Sequence, residues 1–175
     1  MPTIVKGQHL FMADPQTLDL RNVSFVARRC LINLDDFGFG HVDLAFSDLP
    51  ECPQDFFEED TVLPTIPIGR GEYVDAEGEH AFNLSRFKTS CLSLFAQLAE
   101  DQFEGYARRW CSFSKYDVFR WRRGISPQVD YLILQQQTQG ALQRFLSMFC
   151  PLCREALARS EGIFVLWVWD ECRDA

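Results

Sequence analysis

No stretch of this 175-residue chain approaches the roughly 18 to 20 consecutive apolar residues of a spanning helix. The longest candidate, Ile163 to Trp169, runs into Asp170 and Glu171. The leading MPTIVKGQHLFMADP carries one lysine and no sustained apolar core before Asp14. No secretory signal is expected, and the chain is placed in the cytoplasm. Positive charge is short, with 17 Lys and Arg against 25 Asp and Glu, net −8. That balance opposes nonspecific attachment to nucleic acid or anionic membrane. Imidazoles are scarce, His9, His41 and His80 alone, which narrows general acid–base chemistry. Internal repeats are absent, and the only low-complexity tract is the short run Gln135-Gln136-Gln137.

What is present is the composition of a folded domain. Hydrophobic residues make up 47% and charged residues 24%, and 16 Phe among the aromatics point to a core built on ring packing. The length suits one domain with a core of its own. Seven cysteines, at 30, 52, 91, 111, 150, 153 and 172, form an odd, irregularly spaced set and read as free thiols.

Charge is segregated. From Asp35 to Glu79 thirteen acids face Arg70 alone, net −12, whereas Tyr106 to Gly124 carries six cations against Asp117, net +5. The acidic stretch also holds Pro50, Pro53, Pro64, Pro67, Gly69, Gly71 and Gly78. It reads as a loop-rich lobe over about 35–80, with one short helical turn at Gln54 to Glu59.

Periodicity predicts an α+β single domain with a β-rich N-terminal half. Val23, Phe25 and Ala27 alternate before Cys30-Leu31-Ile32, and the alternation resumes at Val42, Leu44 and Phe46. An antiparallel hairpin is expected across Asp35-Asp36-Phe-Gly-Phe-Gly. Leu84, Phe87, Cys91, Leu94, Phe95, Leu98 and Phe103 follow helical spacing, closed by Gly105. Val129 to Leu134 reads as a strand. A helix then covers Leu142, Phe145, Leu146 and Phe149, interrupted near Pro151 and resuming through Ala158. Ile163 to Trp169, apolar on both faces, is expected to be a central strand, which would make a β-α-β unit with the strand at 129–134.

Four motifs could carry chemistry. Cys150-Pro-Leu-Cys153 resembles the last ligand pair of a RING domain, since such a knuckle puts two thiolates on one zinc. The remaining ligands are missing: Cys91 and Cys111 are single, no histidine follows His80, and only Cys172 could add a third. Buried thiols on a kinked helix, with no metal and no cofactor, are expected. Paired carboxylates at Asp35-Asp36 and Glu58-Glu59-Asp60 lack the spacing of a cation loop. Gly38-Phe-Gly and Gly69-Arg-Gly lack the Lys-Ser/Thr or third glycine of a phosphate loop. Residues 106–124 interleave rings with cations, a pattern suited to stacking bases and neutralising phosphates, or to rings in the core under arginine stems.

Three functions follow from these readings. The leading one is a non-enzymatic acidic protein that occludes a protein partner with a basic surface, through Asp55, Glu58, Glu59, Asp60, Glu77 and Glu79. In profile, though through no shared motif, such a chain is similar to toxin-immunity and phage-encoded inhibitor proteins. The second is a small enzyme using His41 or His80 with a carboxylate or cysteine. The third is a nucleic-acid-binding or assembly factor that would use Arg108, Arg109, Trp110, Arg120, Trp121, Arg122 and Arg123.

Overall fold

The computed structural model describes residues 7–18, 31–37, 56–58, 69–75, 78–113 and 131–170. Strands β1 (Gly7–Ala13), β2 (Ile32–Asn33), β3 (Gly69–Asp75), β4 (Gly78–Arg86) and β5 (Gly162–Asp170) form one sheet in the order β2-β1-β5-β4-β3. Every pairing is antiparallel. Helices α1 (Thr89–Gln97), α2 (Phe103–Phe113) and α3 (Tyr131–Arg159) lie in the chain between β4 and β5. The α+β expectation holds, as does the central place of the apolar strand.

β5 is apolar on both faces because both are buried. Ile163 and Val165 join the cluster shared with the helices, while Phe164, Leu166 and Val168 join a second cluster with Phe11, Leu18, Phe82 and Leu84. Phe11 and Phe164 stack at 5.5 Å within that second cluster. The β-α-β unit does not form, since β5 is antiparallel to both neighbours. The helices return the chain to the end of the sheet it left, and the Phe87 amide donates to the Ile163 carbonyl at 3.0 Å. The strand expected at 129–134 is instead the start of α3 from Tyr131 onward. Leu132, Leu134 and the three glutamines are good helix formers, and the helix they begin runs unbroken into the buried positions 142–156.

That helix also passes through Pro151 without interruption. An interior proline removes one backbone bond and costs about 3 kcal/mol. Phe145, Leu146, Phe149, Cys150, Cys153 and Ala156 are all fully buried along one face, and each large side chain contributes about 1.5–3 kcal/mol. Packing therefore outweighs the lost bond. Phe149 is the hub: its ring lies 4.9 Å from Phe145, 5.0 Å from Phe95 on α1 and 5.3 Å from Phe87. α3 ends at Ser160, whose φ of 56° permits the Glu161 amide to reach Ala156 at 2.9 Å and the Ser160 amide to reach Leu157.

The helix expected from Leu84 to Phe103 is three elements. Leu84 belongs to β4, Phe87 bridges Phe57, and α1 begins only at Thr89. Leu84, Phe87, Cys91, Phe95 and Phe103 are all buried, so their spacing imitates one helix. Leu98 and Ala99 are extended, and the Gln102 side chain accepts from the Ala99 amide at 2.9 Å to start the next turn. Arg154 of α3 donates to the carbonyls of Ala96 and Leu98, both at 3.2 Å, closing the end of α1. Gly105 lies inside α2 and closes nothing.

The loop expectation also shifts, while the hairpin expected across 35–40 lies mostly outside the described residues. Leu34–Phe37 is a 3-10 turn, and the described hairpin is β3–β4, with Asp75 paired to Gly78. Residues 69–75 and 78–80 are thus regular strand inside the stretch read as loop. Its four prolines all precede Gly69, and β3 is the end strand of the described sheet, where glycine is tolerated. The turn expected at Gln54 to Glu59 is extended at Phe56–Glu58. The alternating positions 23–27 and 42–46 lie outside the described residues. β1, which the periodicity did not flag, ends in a turn where Asp14 Oδ1 accepts from the Gln16 amide at 2.9 Å and Pro15 offers no donor.

Candidate functional site

Among the acids expected to bind a partner, Glu58 is the one whose side chain is described. The Glu58 amide donates to the Arg86 carbonyl at 2.9 Å, and the Lys88 amide to the Phe56 carbonyl at 2.7 Å. Phe57 packs on Phe87 with ring centres 4.8 Å apart. This short ladder fastens the acidic stretch to the junction of β4 and α1. The Glu58 carboxylate lies 3.5 Å from the Arg86 guanidinium, with side chains 24% and 20% exposed. Glu58 is therefore engaged with Arg86 within the fold, with part of its side chain still exposed. Arg86 itself lies over Phe164 at 5.9 Å, and its Nε is buried with no hydrogen-bond partner among the described residues. A side chain at Gly162 would meet that Nε at 3.1 Å and Phe164 at 3.0 Å, so any larger residue there requires those side chains to give by a few tenths of an ångström. Glu79 pairs with Val74 in the β3–β4 ladder. Asp55, Glu59, Asp60 and Glu77 lie outside the described residues.

The basic, aromatic segment divides by helix face. Arg108 is exposed and bonds Glu104 at 2.7 Å, one turn before it on α2. Exposed Arg109 lies over the Tyr106 ring at 5.5 Å. Trp110, one turn beyond Tyr106 on the same buried face, turns away from the two arginines: it is 2% exposed and packs edge-on against Phe145 at 6.2 Å. The reading of Trp110 as a surface contact is corrected, because a ring on that face fills the space between α2 and α3. Arg120, Trp121, Arg122 and Arg123 lie outside the described residues.

Among the described side chains, the three thiols lie on helices α1 and α3 and the one imidazole, His9, on strand β1. Cys91, Cys150 and Cys153 are buried thiols outside any disulfide. Burial pushes the Cys150 thiol up to about 12, opposed in part by Arg154. The Cys153 thiol is driven higher still by burial and then by Cys150, again against Arg154. Both are protonated near neutrality and poor nucleophiles or ligands there. Among the described residues no three His, Cys, Asp or Glu side chains gather as a metal site. His9 is buried on β1, paired with Asn33 and Leu166. His80, expected in a polar loop, is in β4 opposite Tyr73 and Asp170. His41, Cys111 and Cys172 contribute no described side chain.

One surface went unnoticed in the sequence. Asn83 sits directly opposite Trp167, and Ser85 opposite Val165. Paired residues share a face, so Asn83, Ser85 and Trp167 lie on the side of the sheet that Ile163 and Val165 turn to the helices. All three are half-buried. The alternation of Asn83 and Ser85 with Phe82, Leu84 and Arg86 marks them as one face of a strand. Their pairing with Trp167 needed the register.

No helix among the described residues is long and apolar enough to cross a membrane. No protein-family model, curated protein or solved structure matches the chain.

Proposed function

We propose that this chain is a non-enzymatic acidic binding protein that occludes a protein partner with a basic surface, in the manner of toxin-immunity or phage-encoded inhibitor proteins. The observation that carries the reading is the charge of −12 between Asp35 and Glu79, within a chain of net −8. Carboxylates at that density attract a partner's Lys and Arg and accelerate encounter. The ladder at Phe56–Glu58 supports the reading further, since it fastens part of that stretch to the β4–α1 junction. Chemistry by Cys150 or Cys153 is disfavoured by their burial and raised pKa. Glu58, already engaged with Arg86, is assigned to holding the segment, and Asp55, Glu59, Asp60, Glu77 and Glu79 to the contact.

Affinity capture from the native cell lysate identifies the partner, and stopped-flow association then tests the surface. Replacing Asp55, Glu59 and Asp60 by their amides is expected to slow association at low salt by about tenfold and to flatten its salt dependence. An association rate unchanged at low salt would place the interface elsewhere. Retention of full activity by His41→Ala and His80→Ala is expected as well, and loss at either would indicate an active site.

A further inference from the structure

We propose that the exposed face of α3 is the contact surface for a second copy of this chain, the two helices running antiparallel about a two-fold axis level with Phe149 and Cys150. One face of α3 buries Phe145, Phe149 and Cys153 in the core. The opposite face carries Gly140, Arg144, Ser147, Met148, Pro151 and Glu155, all exposed to solvent. A Cβ added at Gly140 would meet nothing within 4 Å, so the surface is open at that end. Met148, 44% exposed, is one of two large hydrophobic side chains that face solvent among the described residues.

The charges of this face complement themselves. Arg144 and Glu155 are eleven residues apart, close to three full turns, so they share one face about 16.5 Å apart along the axis. An antiparallel copy turned about the midpoint between them brings Arg144 level with Glu155 of the second copy. Two-fold symmetry makes that pair twice. The same rotation brings Met148 level with Pro151 and Ser147 level with half-buried Leu152, so the centre of the contact is uncharged. Arg154 stays out of it, since its guanidinium is turned to the carbonyls at the end of α1. Arg159 already holds the Glu155 carboxylate at 2.6 Å, and a carboxylate has room for a second guanidinium. Arg144 lies over the Phe37 ring at 5.9 Å and has no ion pair among the described residues. The chain's net −8 opposes indiscriminate contact between copies, so attraction has to be local, as it is here. A single helix pair over about 20 residues, roughly 30 Å long, buries less than about 1,200 Å² in total, the range of transient complexes.

Sedimentation velocity of the full chain under reducing conditions, from about 10 µM to about 1 mM, is expected to show a reversible monomer–dimer equilibrium with Kd on the order of 100 µM. Arg144→Glu and Glu155→Arg are each expected to weaken it about tenfold or more, because each turns two attractions into two repulsions. The combined Arg144→Glu/Glu155→Arg chain is expected to return to within about threefold of the parent, since the pair is then reversed but intact. All of these positions are exposed, so circular dichroism should show each variant folded as the parent is. Arg108→Glu, on the exposed side of α2, changes the net charge as Arg144→Glu does and should leave the dimer unaltered. The proposal is overturned if the chain is monomeric at about 1 mM, if neither single reversal weakens the dimer, or if the combined variant is as weak as the single ones. It is also overturned if Arg108→Glu weakens association as much as Arg144→Glu. None of these outcomes depends on the acidic segment or its partner.

Discussion

A buried thiol is a small hydrophobe until pH removes its proton, and the Cys150–Cys153 pair is built on that condition. In the folded chain Cys150 holds its proton up to about 12, and Cys153 is raised in the same direction, both through burial and from an ordinary value of 9.0. The unfolded chain releases these protons first. Their contribution to stability is therefore intact below pH 9 and is lost as pH rises from 9 toward 12. Melting temperatures measured from pH 7 to 11 should be flat to about pH 8.5 and then fall. Other groups titrate in this range, so the comparison is with the double variant Cys150→Ala/Cys153→Ala. The variant should melt lower at pH 7 because of the cavity, yet fall less steeply in alkali. Equal alkaline slopes would mean that these thiols do not report folding. The same burial explains why a knuckle that resembles a zinc-ligand pair in sequence occupies the core in the fold.

At the scale of elements, the long α3 helix provides the sharpest test of packing against backbone chemistry. Pro151 is exposed, so its ring supplies little burial, while its missing amide leaves one helical bond unmade. Pro151→Ala should restore about 3 kcal/mol of helix energy and give back up to about 1 kcal/mol through a freer unfolded chain. A net gain of about 2 kcal/mol is expected in urea denaturation, with an unchanged denaturant slope. A loss would mean that the proline sets the course of the helix by which Cys153 and Ala156 reach the core. How far such elements were legible depends on whether local pattern and tertiary role agree. β5 was legible because an apolar run with both faces buried has one natural place, the middle of a sheet. The stretch from Leu84 to Phe103 was not, since Leu84 on a strand, Phe87 on a bridge and Cys91 on a helix all face a core at spacings that mimic one helix. β3 was hidden by its glycines, and the start of α3 by the branched and aromatic residues around Ile133. At the candidate sites, the interleaving of rings with Arg108 and Arg109 was visible in sequence but the helix α2 that carries them was not, and the burial of Trp110 and the pairing of Glu58 with Arg86 arise from contacts 35 and 28 residues away.

For the molecule as a whole, the decisive fact is that two hydrophobic clusters share one strand. Ile163 and Val165 pack with the helices, and Phe164, Leu166 and Val168 pack with Phe11, Phe82 and Leu84 on the reverse side. Loss of either cluster exposes a face of β5 and removes the support of the other. The α1–α2–α3 layer and the sheet should therefore unfold together, even though the helices form one long insertion between β4 and β5. Native-state amide exchange is the direct measurement. The slowest amides of α3 near Phe149 and of β5 near Val165 should exchange with the same free energy, and far-UV dichroism and tryptophan fluorescence should give coincident urea transitions. Val165→Ala, on the helix side, and Leu166→Ala, on the reverse side, should each lower both exchange free energies equally, by about 2–4 kcal/mol. If instead Leu166→Ala lowered protection in the sheet and left α3 unchanged, the helices would be an independent folding unit. β5 would then join two parts of the molecule without coupling them.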